Sequence, residues 1–174
     1  MLWGGAKQKK ENLSGWPVLC LEKKGLREAP VWLMECEGLL ELRARCNSIT
    51  QWPEGGKESL SAIRIIDLTC NGLQALPCSV FEAPFLEELH LAENRLEKLP
   101  PAVEIRMPNL EIKSAMPFLR VLDIRFNLLR WLPGYVTEAP VLKELYIEDN
   151  PGDVEMGEQR LVYLGKLAME DGGA

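Results

Sequence analysis

Residues 86–100 read Leu-Glu-Glu-Leu-His-Leu-Ala-Glu-Asn-Arg-Leu-Glu-Lys-Leu-Pro, and their frame Leu86-x-x-Leu89-x-Leu91-x-x-Asn94-x-Leu96-x-x-Leu99-Pro100 decides the fold. The frame returns at Ile63-Ile66-Leu68-Asn71-Leu73, at Leu119-Leu122-Ile124-Asn127-Leu129 and at Leu142-Leu145-Ile147-Asn150. A weaker copy, Leu39-Leu42-Ala44-Asn47-Ile49, precedes them. Before that, Trp16-Leu19-Leu21-Lys24-Leu26 keeps the spacing with lysine in place of asparagine. From Asn47 onward the asparagines lie 24, 23, 33 and 23 residues apart. A fixed period of that length marks a solenoid, in which each repeat is one unit stacked on the next.

Within a repeat, Leu-x-Leu sets two apolar side chains on one face of a short strand, because strand side chains alternate with period two. Stacked repeats then form a parallel sheet with an interior leucine ladder, and no repeat buries its apolar face alone. The asparagine falls where the chain leaves the strand. Its amide both donates and accepts, so a column of asparagines satisfies the peptide groups of successive turns. The return leg repeats as well: Leu76-Pro77 through Leu86 matches Leu132-Pro133 through Leu142 position by position. Proline in each leg disfavours long helix, so that side is expected to be extended or to carry short 3₁₀ or helical turns.

The 23-residue Leu-x-x-Leu-x-Leu-x-x-Asn-x-Leu-x-x-Leu-Pro pattern resembles the intracellular leucine-rich-repeat group. That group includes Ras-pathway scaffolds and suppressors, the Scribble and Erbin family, plant Ras-group-related repeat proteins and the repeat domains of Roco proteins. The resemblance implies an α/β leucine-rich-repeat solenoid, a short curved horseshoe with its parallel sheet on the concave face. It also implies a surface that binds other proteins without catalysis, or a regulatory repeat segment of a larger kinase or GTPase.

The expected organisation is a mobile tail over 1–15, about six repeats over 16–152, and a capping helix with a tail over 153–174. Leu161, Leu164 and Leu167 stand at helical spacing in the last segment. Ten extra residues separate Asn94 from Asn127; they fall near 104–115 and are expected to bulge as a loop that leaves strand stacking intact. Ala44 replaces a ladder leucine, and Trp52 or Cys46 is expected to fill the space.

The formal charge of −6 and a pI near 5.0 disfavour nucleic acid as a partner, since nucleic-acid binding leaves a basic footprint. No apolar run is long enough for a signal peptide or a membrane span. Five scattered cysteines, without clusters at either end, favour a reducing, cytoplasmic setting; the chain is expected to be monomeric. Cys46 and Cys70 share one position in neighbouring repeats and are candidates for a thiol pair or a metal, though isolated cysteines more often serve as small buried residues.

No phosphate-cradling glycine loop, zinc-protease helix or nucleophile elbow occurs, and the one histidine, His90, has no positioned nucleophile. Neither cofactor nor metal is expected. The informative residues are those between the ladder leucines, which share the concave face. Arg43, Arg45, Asp67, His90, Asp123, Arg125 and Tyr146 form one mixed-charge patch in a regular stack, and arginine and tyrosine are enriched among interface anchors. The plain alternative is that neighbouring Arg and Asp satisfy each other. Phe126, Trp131 and Tyr135 concentrate aromatic side chains near the C-terminal repeats, either as a second exposed surface or packed against the inserted segment or terminal helix.

Overall fold

The computed structural model describes residues 17–53, 60–101 and 116–151. The tail over 1–15, the insertion over 104–115 and the segment over 153–174 lie outside these. Six three-residue strands form one parallel sheet in chain order: β1 (Val18–Cys20), β2 (Glu41–Arg43), β3 (Ile65–Asp67), β4 (Glu88–His90), β5 (Val121–Asp123) and β6 (Glu144–Tyr146). Among the described residues the return legs carry a 3₁₀ turn at Val31–Glu35 and two one-turn helices, α1 (Cys78–Phe81) and α2 (Gly134–Thr137). Pro30, Pro77 and Pro133 stand just before them in extended conformation. Proline's fixed φ suits that entry, and no regular helix longer than a turn follows.

Register is uniform. Leu19, Leu42, Ile66, Leu89, Leu122 and Leu145 pair in succession, so the ladder faces inward at every step. Ile66, Leu89 and Leu122 are wholly buried, as are Ile63, Leu68, Leu86, Leu91, Leu119 and Ile124 around them. Each such side chain stabilises the fold by roughly 1.5–3 kcal/mol relative to exposure. Exposure rises to partial at Leu142, Leu145 and Ile147 in the last repeat. β4 and β5 pair in register, and Asn127 Nδ2 donates to Leu91 O at 2.9 Å. Stacking therefore runs unbroken across the ten extra residues. Ala44 is buried in a core that includes Trp52, while Cys46 stays outside it. Trp52 Nε1 is buried without a hydrogen-bond partner.

The asparagine column takes the role its spacing suggests. Asn94 Oδ1 accepts from Leu73 N of the preceding repeat, and its Nδ2 donates to Leu68 O, Leu91 O and Ala92 O, all within 3.2 Å. Asn71, Asn127 and Asn150 repeat this pattern. Asn47 covers the repeat that lacks its own asparagine: its Oδ1 accepts from both Lys24 N and Leu26 N at 3.0 Å.

The residue before each of these positions adopts left-handed backbone: Lys23, Cys46, Cys70, Glu93, Phe126 and Asp149 all have φ between 52° and 57°. For L-residues that conformation costs roughly 1–2 kcal/mol each. It aims the backbone N–H at the next repeat, where Cys46, Cys70, Glu93 and Phe126 donate to Thr69, Ala92, Arg125 and Glu148 carbonyls at 2.9–3.0 Å. Hydrogen bonds on both sides of the turn hold the strained residue in place.

Candidate protein-binding faces

On each strand the residues flanking the ladder side chain share the sheet's open face. Register places Arg43 beside Asp67, Asp67 beside His90, His90 beside Asp123 and Asp123 beside Tyr146. Arg45 and Arg125 follow two residues on. The seven residues singled out in the sequence therefore occupy one continuous face.

Within that face most charged groups are matched inside their own repeat. Asp123 grips Arg125 through Nε at 2.9 Å and Nη2 at 2.7 Å, and also accepts from Arg125 N. Glu41 accepts from Arg43 Nε, Glu88 Oε2 lies 3.2 Å from His90 Nε2, and Tyr146 donates to Glu144 at 2.8 Å. Period-two alternation puts residues i and i+2 side by side, so each acid holds the group one ladder residue away. Asp67 differs: it accepts from Thr69 N at 3.0 Å and reaches across to Arg45, at 3.7 Å. The matching expected between neighbouring repeats is thus mainly within repeats.

These bonds set the electrostatics. Hydrogen bonding to Glu41 and Asp123 raises the already high pKa values of Arg43 and Arg125, and hydrogen bonding to Glu144 raises that of the Tyr146 phenol. The Arg125 guanidinium lies 4.9 Å from the Tyr146 ring centroid, a cation–π contact. Two residues are less open than the sequence suggested. Asp123 is buried beneath Arg125, and His90 is half-buried. The arginines remain the accessible heads, with side chains 40–51% exposed. The positions of Val18, Cys20 and Glu22 with their counterparts in the five later repeats hold seven carboxylates (Glu22, Glu41, Asp67, Glu88, Asp123, Glu144, Glu148) against three arginines (Arg43, Arg45, Arg125), a balance of −4.

The proposed second aromatic surface needs a correction. Phe126 and Trp131 are exposed, joined by Leu128, but Tyr135 is buried. Its ring meets Phe81 edge-on at 6.2 Å and its hydroxyl donates to Pro100 O at 2.8 Å. The same helical position in the sister leg, Ser79, is also buried, so the change from serine to tyrosine is one of volume at an inward site. Burial pushes the Tyr135 phenol far above its usual range. Cys46 and Cys70 are free thiols; burial raises the Cys70 thiol, reinforced by its neighbour Cys46. Among the described residues no group of three or more His, Cys, Asp or Glu side chains could hold a metal ion, and no helix is long and apolar enough to cross a membrane.

One surface went unnoticed in the sequence. Phe85, Phe118 and Val141, each just after a proline, are 49%, 48% and 41% exposed where the return legs enter successive strands. The signal was available, because the preceding legs carry Gly38 and Ala62 at that position.

A parallel sheet with one strand per repeat, an inward leucine ladder and an asparagine column define a leucine-rich-repeat protein. Known structures agree. YopM from Yersinia enterocolitica superposes with a TM-score of 0.57 at 26% identity, over 81% of this chain and 27% of its own. The leucine-rich-repeat domain of the type III effector XopL gives 0.66 at 22% identity, over 79% of this chain and 46% of its own. A leucine-rich-repeat protein of Leptospira interrogans gives 0.57 at 22% identity, over 80% and 38%. In sequence, the chain is 36% identical over 98 residues to leucine-rich repeat serine/threonine-protein kinase 1 of Caenorhabditis elegans, covering 47% of this chain and 4% of that protein. The chain thus spans less than half the length of each of these relatives. No protein-family model matches it.

Proposed function

We propose that this protein is a non-enzymatic interaction module, a scaffold, adaptor or targeting protein in intracellular, cytoplasmic signalling, that binds a partner protein on the open face of its sheet. The observation that carries this reading is the preorganised set Arg43, Arg45 and Arg125 with Tyr146. The arginine heads are exposed and Tyr146 partly so, while carboxylates beside them hold Arg43, Arg125 and Tyr146 by hydrogen bonds and Arg45 by an ion pair. Side chains already held in place lose less entropy on binding, so more of each contact remains as affinity. Arginine and tyrosine are also the types that dominate interface energetics. The surrounding excess of carboxylates favours a partner with basic groups around a smaller number of acidic ones.

Affinity capture from the native cell, with wild-type bait beside an Arg43→Ala/Arg125→Ala/Tyr146→Ala bait of equal thermal stability, tests this. A protein retained by the first and lost from the second supports the reading; identical capture by both overturns it.

A second reading is a regulatory repeat segment of a larger kinase or GTPase. It is favoured by the 36% identity to part of the nematode leucine-rich repeat kinase. A transcript that joins this sequence in frame to a catalytic domain supports it.

A further inference from the structure

The edge of the sheet where strands begin differs in character from its open face. The Phe85 and Phe118 rings stack at 6.0 Å with an interplanar angle of 25°, across the ten-residue insertion. Val141 follows in the next repeat. Scattered exposed apolar residues are ordinary, but three at one repeat position in consecutive repeats, two of them stacked, are the kind of cluster that marks a contact site. The fold does not require it, because Gly38 and Ala62 fill the same position in the earlier repeats.

Beside this column runs a second one. Glu87 N donates to Arg64 O, Arg120 N to Glu87 O and Lys143 N to Arg120 O, at 2.7–2.9 Å, so these four residues lie side by side on successive repeats. Glu87 is held between Arg64 and Arg120, whose side chains stay 58% and 54% exposed. Three cations against one acid leave this strip basic on a chain of net charge −6. Glu138, three residues before Val141, turns its carboxylate back over Gly134.

We propose that Phe85, Phe118 and Val141, flanked by Arg64, Arg120 and Lys143, form a docking edge for an acidic peptide segment that carries apolar anchors. The apolar column takes the anchors and the basic column their neighbouring carboxylates. An anionic membrane is the less fitting occupant, because a continuous sheet of negative charge also meets Glu88 and Glu144, one position further along, whereas a peptide sets single carboxylates against Arg64, Arg120 and Lys143. This edge is separate from the open face and opposite to it in charge.

The test uses the full chain and three fluorescein-labelled peptides: one alternating phenylalanine with aspartate, one with lysine replacing aspartate, and one with serine replacing phenylalanine. Fluorescence polarisation should show saturable binding of the first alone, weakening as salt rises from about 50 to about 300 mM. Phe85→Ser/Phe118→Ser and, independently, Arg120→Glu/Lys143→Glu should each weaken it about tenfold or more. Arg43→Ala/Arg125→Ala should leave it unchanged, which separates this edge from the open face. Absence of saturable binding, equal binding of the lysine peptide, or indifference to both double variants overturns the proposal. So does pelleting with phosphatidylserine vesicles in place of peptide binding, or a dimer in sedimentation that Phe85→Ser/Phe118→Ser disperses.

Discussion

Asp123 holds Arg125 with both carboxylate oxygens while itself buried, and Arg125 in turn lies over the Tyr146 ring. The acid acts as a pedestal: it accepts from the backbone N–H of Arg125, two residues on, and fixes the direction of that residue's exposed cation. Asp123→Ala leaves that N–H and the guanidinium without their acceptor. Chemical denaturation should show a loss of about 1–3 kcal/mol. A matched Glu41→Ala, whose partner Arg43 is more exposed, should cost less than 1 kcal/mol, roughly the range of surface pairs.

The asparagine column predicts a gradient of stability along the stack. Asn94 and Asn150 both bond to two repeats, but Asn94 is buried whereas Asn150 stands in the last described turn and is partly exposed. Asn94→Ala should destabilise by about 1–3 kcal/mol, and Asn150→Ala by visibly less. Urea melts of the two variants check this, and equal shifts would count against a column whose strength comes from burial.

Tyr135 makes the fold sensitive to alkali. Its folded-state pKa lies above the unfolded value of about 10. Its contribution is therefore fully present below pH ~10 and is lost as pH rises toward the folded value. Cys36 and Cys70, also raised, add to that loss from pH ~8.5 upward. Tyr135→Phe should be less stable at neutral pH by about 1 kcal/mol, through loss of the bond to Pro100, yet its stability should fall less steeply above pH ~10. Thermal melts across that window read both effects.

The thiols should separate by environment. Cys20 is exposed, Cys70 is partly covered with its thiol raised, and Cys36 is buried with its thiol raised. Since the thiolate is the reacting form, iodoacetamide near pH 8 should label Cys20 first, Cys70 more slowly and Cys36 last. Mass spectrometry of timed digests gives the order; early labelling of Cys36 would mean that its leg opens readily.

Most of the fold was legible because one frame recurs. Ladder leucines, asparagines and prolines each impose a local geometry, and repetition turns local geometry into register. Left-handed backbone at Cys46, Cys70, Glu93 and Phe126 was not legible, since no glycine marks it and the bonds that hold it come from adjacent repeats. The columns place the flanking residues on one face, but the alternative of Arg–Asp matching across repeats holds only for Arg45 with Asp67. Glu41-Leu-Arg43, Glu88-Leu-His90, Asp123-Ile-Arg125 and Glu144-Leu-Tyr146 all place an acid two residues before its partner, a pattern hidden when columns are read only across repeats. Tyr135 stayed open between an exposed and a packed place because side-chain size does not reveal direction at this position: Ser79, small, and Tyr135, large, are both buried.

Titration of the captured partner against Arg125→Ala and Tyr146→Ala, with Trp131→Ala as the control on the other aromatic surface, tests the binding role of the open face most directly. Each concave variant should weaken the dissociation constant by about fivefold or more, equivalent to about 1 kcal/mol, with circular dichroism unchanged. Trp131→Ala should bind like wild type. Wild-type affinity in both concave variants, with binding abolished by Trp131→Ala, would contradict it and move the partner to the surface around Phe126 and Trp131.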